Sequence, residues 1–171
     1  MIFLNFLISQ SQDDLISKII ENKKPILGTE KAPLKIVVFD DPDCPFCRRS
    51  MPLLKMLYEK NLEKVAIYIR WFPLDIHPDA KRKSTILACS KDYFKAKEAL
   101  IKGENVKPDI PNCDGNKIVE EDLDYGMKIG VRGTPTFIMF SEKDTIGISG
   151  APPDYETLRK TLTEKFKIEL K

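Results

Sequence analysis

Two cysteines separated by two residues are the part of the sequence best suited to chemistry. Cys44 and Cys47 enclose a Pro-Phe dipeptide in the stretch DPDCPFCRRS. Such a pair can exchange electrons with a disulfide, supply half of a metal site, or pack as two small apolar side chains. Each interpretation requires different residues elsewhere in the chain.

The other metal-ligating residues argue against a zinc site. A structural zinc site usually needs a second pair of ligands at close spacing. The remaining cysteines, Cys89 and Cys113, lie far apart, and His77 is the sole histidine. The sequence therefore predicts no bound metal, and packing of the two thiols remains the alternative to redox chemistry.

The residues around the thiol pair predict a strand, a loop and a helix. The β-branched run LKIVVFD over 34–40 predicts a buried strand. Residues 45–60 carry apolar residues at helical spacing, and Pro52 is expected to bend that helix. Cys44 then faces the free N–H groups of the first turn, where comparable cysteines have a pKa lowered to between ~3.5 and ~7.5. We expect Cys44 to attack disulfides and Cys47, one turn inward, to resolve the adduct.

The rest of the chain predicts one α/β domain with a helical insertion. A length of 171 residues suits a single core. A short N-terminal helix is expected over 13–22, and helices replace strands between about 74 and 130. Further strands are expected over 65–72, 136–141 and 145–149, followed by a closing helix in YETLRKTLTEKF.

Composition excludes several classes of function. Lys and Arg outnumber Asp and Glu by two, 28 against 26, and no basic stripe suggests a nucleic-acid partner. The opening run MIFLNFLI is far shorter than the roughly 20 residues that span a bilayer. It is interpreted as a remnant of an export signal, with residues 1 to about 12 removed, or else as a packed N-terminal strand.

A second motif, VRGTPTF over 131–137, places Thr134 and Pro135 at the head of a strand. Proline inside a central strand would remove a ladder hydrogen bond, so it belongs at the first strand position or in a special turn. A cis peptide would satisfy both conditions, although the motif by itself is also compatible with a trans turn.

The segments FDDPDCPFCRR and GVRGTPTF, in this order around a helical insertion, resemble the thioredoxin superfamily. Within it the chain is similar, from about Ala32 onward, to the catalytic domain of the DsbC and DsbG thiol:disulfide interchange proteins. The resemblance implies an α/β thioredoxin fold, a mixed central sheet flanked by helices. It also implies a cis Pro135 beside the cysteine pair, with Thr134 and Pro135 offering backbone groups to an extended substrate chain. Phe46 adds apolar surface beside the reactive sulfur and is a further candidate for substrate binding.

The resemblance implies a structural disulfide between Cys89 and Cys113 as well. Closing a loop of about 25 residues would stabilise the fold by roughly 3 kcal/mol. Two free thiols in a reducing compartment are the alternative.

The acids near Cys44 depart from the pattern of cytosolic thioredoxins. Val38 stands where those proteins keep a buried carboxylate. Asp40, Asp41 and Asp43 could influence Cys44, but we expect them to be solvated loop acids.

These features predict a thiol:disulfide oxidoreductase acting on protein disulfides. Resemblance alone favours the isomerase or reductase direction. No cofactor is expected beyond the redox-active pair. Family resemblance implies a membrane thiol reductase as partner for an exported, periplasmic protein, with a cytoplasmic location as alternative. Without the family's dimerisation domain, a monomer or weak dimer is expected.

Two other functions fit parts of the sequence. One is a client-binding module without catalysis, which would use Phe46, Trp71 and Phe72 to hold unfolded chains. The other is a glutaredoxin-like, glutathione-linked reductase, which the helical insertion and the second cysteine pair fit poorly.

Overall fold

A mixed sheet forms the centre of the protein. The computed structural model describes residues 2–4 and 18–171. Within these ranges five strands follow the order β1-β5-β4-β2-β3. They are β1 (Ile2–Leu4), β2 (Leu34–Asp40), β3 (Val65–Trp71), β4 (Thr136–Phe140) and β5 (Thr145–Ser149).

The register of β2 brings the two predicted motifs together. β2 runs parallel to β3 and antiparallel to β4, with Phe39 opposite Thr136. The end of β2 therefore lies beside the start of β4. The loop that leaves β2 carries the cysteine pair, and the residues just before β4 are Thr134 and Pro135. Strand pairing thus juxtaposes segments 90 residues apart.

Five helices are described around this sheet, and three of them form the insertion between β3 and β4. They are α1 (Pro45–Lys60), α2 (Ala80–Ala88), α3 (Tyr93–Ile101), α4 (Gly115–Lys128) and α5 (Tyr155–Phe166). α1 continues through Pro52 without interruption. The predicted α/β thioredoxin fold, a mixed sheet flanked by helices, is confirmed.

Both faces of the sheet are buried. Side chains alternate along β2, so that Leu34, Ile36 and Val38 join one apolar cluster while Val37 and Phe39 join another. Helices α1 and α5 bury their apolar faces in the first cluster, and the second includes residues of the segment before β2 and of α4. Burial on both faces explains why these strands read as continuous apolar runs.

The outer edge of the sheet at β3 is covered by the chain itself. Ile67 exchanges backbone hydrogen bonds with Leu27, donating at 2.9 Å and accepting at 3.5 Å. Further along β3, the backbone N–H of Trp71 donates to the carboxylate of Asp122 on α4, at 3.0 Å. The backbone groups of β3 at these two positions are therefore paired.

At the other edge, β1 pairs antiparallel with β5, as the packed-strand interpretation of the N-terminal run predicts. The helix expected over 13–22 falls mainly outside the described residues, and 18–22 form turns. In the part of the chain that the structure describes, no helix has the length and hydropathy needed to cross a membrane.

A disulfide ties the insertion together. Cys89, directly after α2, bonds to Cys113, directly before the cap of α4, with the Cα atoms 5.7 Å apart and a sequence separation of 24. This is the pairing that the family resemblance implies. The loop that it closes contains all of α3.

Replacing both of these cysteines with alanine should lower the free energy of unfolding by about 3 kcal/mol, because the unfolded chain regains the entropy of an open loop. Chemical denaturation under non-reducing conditions measures this change. Wild-type protein with the disulfide reduced should lose a similar amount. An unchanged denaturation midpoint in both samples would show that the disulfide contributes nothing to the free energy of unfolding.

Candidate active site

Cys44 occupies the N-terminal cap of α1, as the sequence predicts. Its backbone is extended (φ −67°, ψ 122°), and Pro45 begins the helix. No acidic residue lies in the first turn, so the partial positive charge of the free N–H groups is not cancelled there. The environment of the Cys44 sulfur is thus suited to holding negative charge.

The sulfur of Cys44 lies directly against the second motif. Its S–H group donates to the carbonyl oxygen of Thr134 at 3.3 Å, and the Thr134–Pro135 peptide is cis. The hydroxyl of Thr134 is buried and has no hydrogen-bond partner within the described residues. Phe46, between the two cysteines, is 52% exposed, whereas Cys44 is only 3% exposed.

Cys47 lies one turn further into α1 and is fully buried. The backbone N–H of Asp41 donates to its sulfur at 3.5 Å. Burial, followed by the negative charge of Asp40, raises the pKa of the Cys47 thiol well above its ordinary value. Cys47 is therefore a protonated thiol near neutral pH. Both cysteines are free thiols.

Asp41 fastens the loop that carries Cys44. One carboxylate oxygen accepts from the backbone N–H groups of Asp43 at 2.8 Å and Cys44 at 3.2 Å. The other accepts from the backbone N–H of Leu74 at 2.9 Å and pairs with Nδ1 of His77 at 2.7 Å. A single buried carboxylate thus joins the active-site loop to the entrance of the helical insertion.

The expectation of three solvated loop acids is wrong for two of them. Asp40 and Asp41 are fully buried. Only Asp43 lies at the surface of the loop, where it pairs with Arg48 at 2.9 Å and Lys83 at 2.6 Å. The carboxylates of Asp40 and Asp41 can be buried because each of them is hydrogen-bonded to residues of the insertion.

Sequence reasoning missed these partners. His77, Tyr93 and Lys97 were not identified as site residues, although all three contact the buried acids. The one available signal was the position of Asp40 and Asp41 directly after a fully apolar strand, where a charged group needs a partner.

The aromatic client-binding surface is also wrong in part. Trp71 and Phe72 are 4% and 6% exposed and belong to the core. The ring of Trp71 packs against Tyr93, with centroids 6.0 Å apart, and that of Phe72 against Phe39 at 6.2 Å. Of the three proposed aromatics only Phe46 remains at the surface.

Within residues 2–4 and 18–171, no group of three or more His, Cys, Asp or Glu side chains is arranged to hold a metal ion. Cys44 and Cys47 instead lie among hydrogen-bonding and charged groups. Their arrangement suits exchange of a sulfur–sulfur bond.

Replacing Asp41 with alanine should lower the free energy of unfolding by about 3 kcal/mol, because buried N–H groups lose their acceptor at ~1–3 kcal/mol each. It should also speed alkylation of Cys44, because releasing the loop from the insertion gives the reagent access to a cysteine that is only 3% exposed. Denaturation and alkylation rates measure the two effects. Asp75→Ala, an exposed change in the loop between Leu74 and His77, is the control and should be nearly neutral. Equal behaviour of the two variants would contradict this account of Asp41.

Comparison with known proteins places this geometry among thiol:disulfide proteins. The chain is 33% identical over 131 residues to a probable thiol:disulfide interchange protein DsbC of Bordetella avium, covering 75% of this chain and 42% of that protein. It is 25% identical over 177 residues to a probable disulfide bond formation protein D of Bacillus cereus, covering 82% and 78%. The chain thus spans less than half the length of the DsbC relative.

The fold is shared with solved structures. The catalytic domain of Proteus mirabilis ScsC superposes with a TM-score of 0.68 at 22% identity, covering 91% of this chain and 98% of that domain. Residues 21–164 match the family model described as a thioredoxin-like domain. Both cysteines and the Thr134–Pro135 peptide fall inside the matched range, and the chain belongs to this thioredoxin-like family.

Proposed function

We propose that the protein is a thiol:disulfide oxidoreductase that acts on protein disulfides, in the isomerase or reductase direction. The observation that carries the proposal is the position of Cys44, which caps a helix and contacts the carbonyl of Thr134 beside a cis proline. Cys47, buried one turn inward, supplies the second sulfur that such chemistry requires.

The first step is attack by the Cys44 thiolate on a client disulfide. A bond forms between the Cys44 sulfur and one client sulfur, and the other client sulfur leaves as a thiolate that takes a proton from solvent. In isomerisation, another client thiol then attacks the adduct and releases Cys44 unchanged. In reduction, Cys47 attacks Cys44 instead, which leaves the enzyme pair oxidised and the client reduced by two electrons.

The reductase direction needs a source of electrons. An external dithiol must reduce the Cys44–Cys47 disulfide after each turnover, and a membrane thiol reductase is the partner we infer. The isomerase direction consumes no electrons, but it needs the same partner to keep Cys44 in the thiol state.

Client binding is assigned to the surface next to Cys44. Phe46 offers an exposed apolar ring to a client side chain, with the guanidinium of Arg49 5.2 Å from its centroid. Thr134 and Pro135 border the sulfur, and the unpaired Thr134 hydroxyl is a further hydrogen-bonding group for an extended client chain.

Similarity to the DsbC relative supports the isomerase or reductase direction. Similarity to the disulfide bond formation protein supports oxidation as the competing direction. The higher identity is to the interchange protein. An oxidising, exported location is inferred from the Cys89–Cys113 disulfide, because such bonds persist mainly outside the cytosol.

Cys47→Ser should trap a client covalently on Cys44, because the resolving sulfur is gone, whereas Cys44→Ser should form no adduct. Non-reducing electrophoresis with scrambled ribonuclease as client measures both results. The double variant Cys44→Ser/Cys47→Ser is the control for adducts at the second cysteine pair. Adducts formed equally well by Cys44→Ser would contradict the assignment of the attacking thiol.

A second measurement tests direction. The reduced protein should restore activity to scrambled ribonuclease, because it can open wrong disulfides. The oxidised protein should be much less effective on reduced ribonuclease. Recovery of activity over time measures both reactions. The reverse order of effectiveness would replace the isomerase or reductase direction with oxidation.

A further inference from the structure

A buried ion pair lies at the end of β2, next to the cysteine loop. The ammonium of Lys97 donates to both carboxylate oxygens of Asp40, at 2.9 and 2.7 Å, and to the hydroxyl of Tyr93 at 2.7 Å. The same hydroxyl donates to Asp40 at 3.0 Å. Asp40 is fully buried, and Lys97 and Tyr93 are 5% and 4% exposed. We call Asp40, Tyr93 and Lys97 the charged cluster.

The charged cluster joins two distant parts of the chain. Asp40 is the last residue of β2, while Tyr93 and Lys97 stand one turn apart on α3. The loop closed by the Cys89–Cys113 disulfide contains α3. The helical insertion therefore supplies the cation that neutralises Asp40.

The charged cluster is linked to the sulfur of Cys47 through the backbone next to Asp40. The peptide group between Asp40 and Asp41 directs its N–H at that sulfur, 3.5 Å away. After burial, the largest influence on the pKa of Cys47 is the negative charge of Asp40, which raises it, while the positive charge of Lys97 lowers it. The N–H of Asp41 also lowers this pKa, and Cys44 raises it.

The negative charge of Asp40 and the positive charge of Lys97 therefore shift the pKa of Cys47 in opposite directions. Burial and the charge of Asp40 also raise the pKa of Tyr93, so its hydroxyl stays neutral and adds no charge. His77 pairs with the carboxylate of Asp41, the residue whose backbone N–H contacts Cys47. A buried ion pair is by itself weak evidence of a role in stability, because apolar replacements are often neutral or stabilising.

We propose that the Asp40–Lys97 pair controls the ionisation of Cys47, and thereby how long a client stays covalently attached to Cys44. The inference rests on the proposed function, since it concerns the step that ends the mixed disulfide. Asp40 and Lys97 are positioning residues, because they act through Cys47 and not on the client.

The controlled step is the resolution of the mixed disulfide. The Cys47 thiol loses its proton to solvent, its sulfur attacks the sulfur of Cys44, and the Cys44–client bond breaks. The client sulfur leaves as a thiolate and takes up a proton. When only a small fraction of Cys47 is ionised, a client thiol has time to attack the mixed disulfide first. This favours isomerisation over reduction.

The step can be followed with the aromatic disulfide 5,5′-dithiobis(2-nitrobenzoate). Attack by Cys44 releases one coloured nitrothiobenzoate, and attack by Cys47 on the adduct releases a second. Stopped-flow absorbance separates the two phases, at acid to neutral pH where Cys47 is mostly protonated. The second phase should accelerate as pH rises, since the thiolate fraction grows tenfold per unit below the pKa.

Removing either charge should change the second phase in opposite directions. Asp40→Asn leaves an uncompensated cation, which favours the Cys47 thiolate and should speed the second phase. Lys97→Met leaves an uncompensated carboxylate and should slow it. Each pKa unit should change the rate about threefold, because nucleophilicity falls along with pKa. The neutral double variant should return towards the wild-type rate.

Three further variants serve as controls. Lys97→Arg keeps the positive charge and should retain most of the wild-type rate of the second phase. Tyr93→Phe removes a hydroxyl without changing charge and should have a smaller effect than either single charge change. Lys102→Met breaks the exposed pair with Glu98 on the same helix and should leave both phases unchanged.

The proposal is overturned if Asp40→Asn and Lys97→Met change the second phase in the same direction, or if neither changes it. A slower second phase in Asp40→Asn would instead make that carboxylate the proton acceptor of Cys47. If Lys97→Met fails to fold, the second-phase rates of Asp40→Asn and of the double variant test the proposal. Absence of a rapid first phase in wild-type protein would contradict the proposed function itself, whereas two wild-type phases unmoved by these variants would contradict only the inference.

Discussion

The carboxylate of Asp41 is the group on which the active-site geometry depends. It collects two backbone N–H groups of the cysteine loop on one oxygen, and a backbone N–H and the sole histidine on the other. Without this acceptor, the cysteine loop would be connected to the insertion only through the flanking pairs of Asp43 with Lys83 and of Asp40 with Lys97, as far as the described contacts show. The buried carboxylate thus holds the backbone of Cys44 at the start of α1, and the sulfur of Cys44 in turn contacts the Thr134 carbonyl beside the cis peptide.

The helical insertion is connected to the cysteine loop through Asp43, Asp41 and Asp40, and the last two connections differ in kind. Through His77 it supports the loop that carries Cys44, which is a matter of position. Through Lys97 it places a positive charge near Cys47, which is a matter of electrostatics. The disulfide that closes the loop around α3 supports the connection through Lys97 from a distance. An element added to the thioredoxin-like sheet thus participates in the environment of both sulfurs.

Sequence alone predicts the sheet well and the polar interior poorly. The strands at 34–40 and 145–149 have the predicted bounds, because β-branched and aromatic residues in an unbroken run specify a buried strand locally. The burial of Asp40 and Asp41 could not be predicted in the same way. Their partners, Lys97 and His77, lie 57 and 36 residues further along the chain, and only the tertiary fold brings them within hydrogen-bonding distance.

The hydrogen bonds along the outer edge of β3 also matter for a protein that we propose to act on other polypeptides. A bare strand at the margin of a sheet presents a row of free amides and carbonyls, and such a row is a template for intermolecular pairing and aggregation. Here the backbone of Ile67 is hydrogen-bonded to that of Leu27, and the backbone N–H of Trp71 is hydrogen-bonded to the carboxylate of Asp122. The backbone groups engaged at these two positions are therefore not available for pairing with another chain, and the second position lies at the same end of the sheet as the loop that carries Cys44, since Trp71 is opposite Asp40.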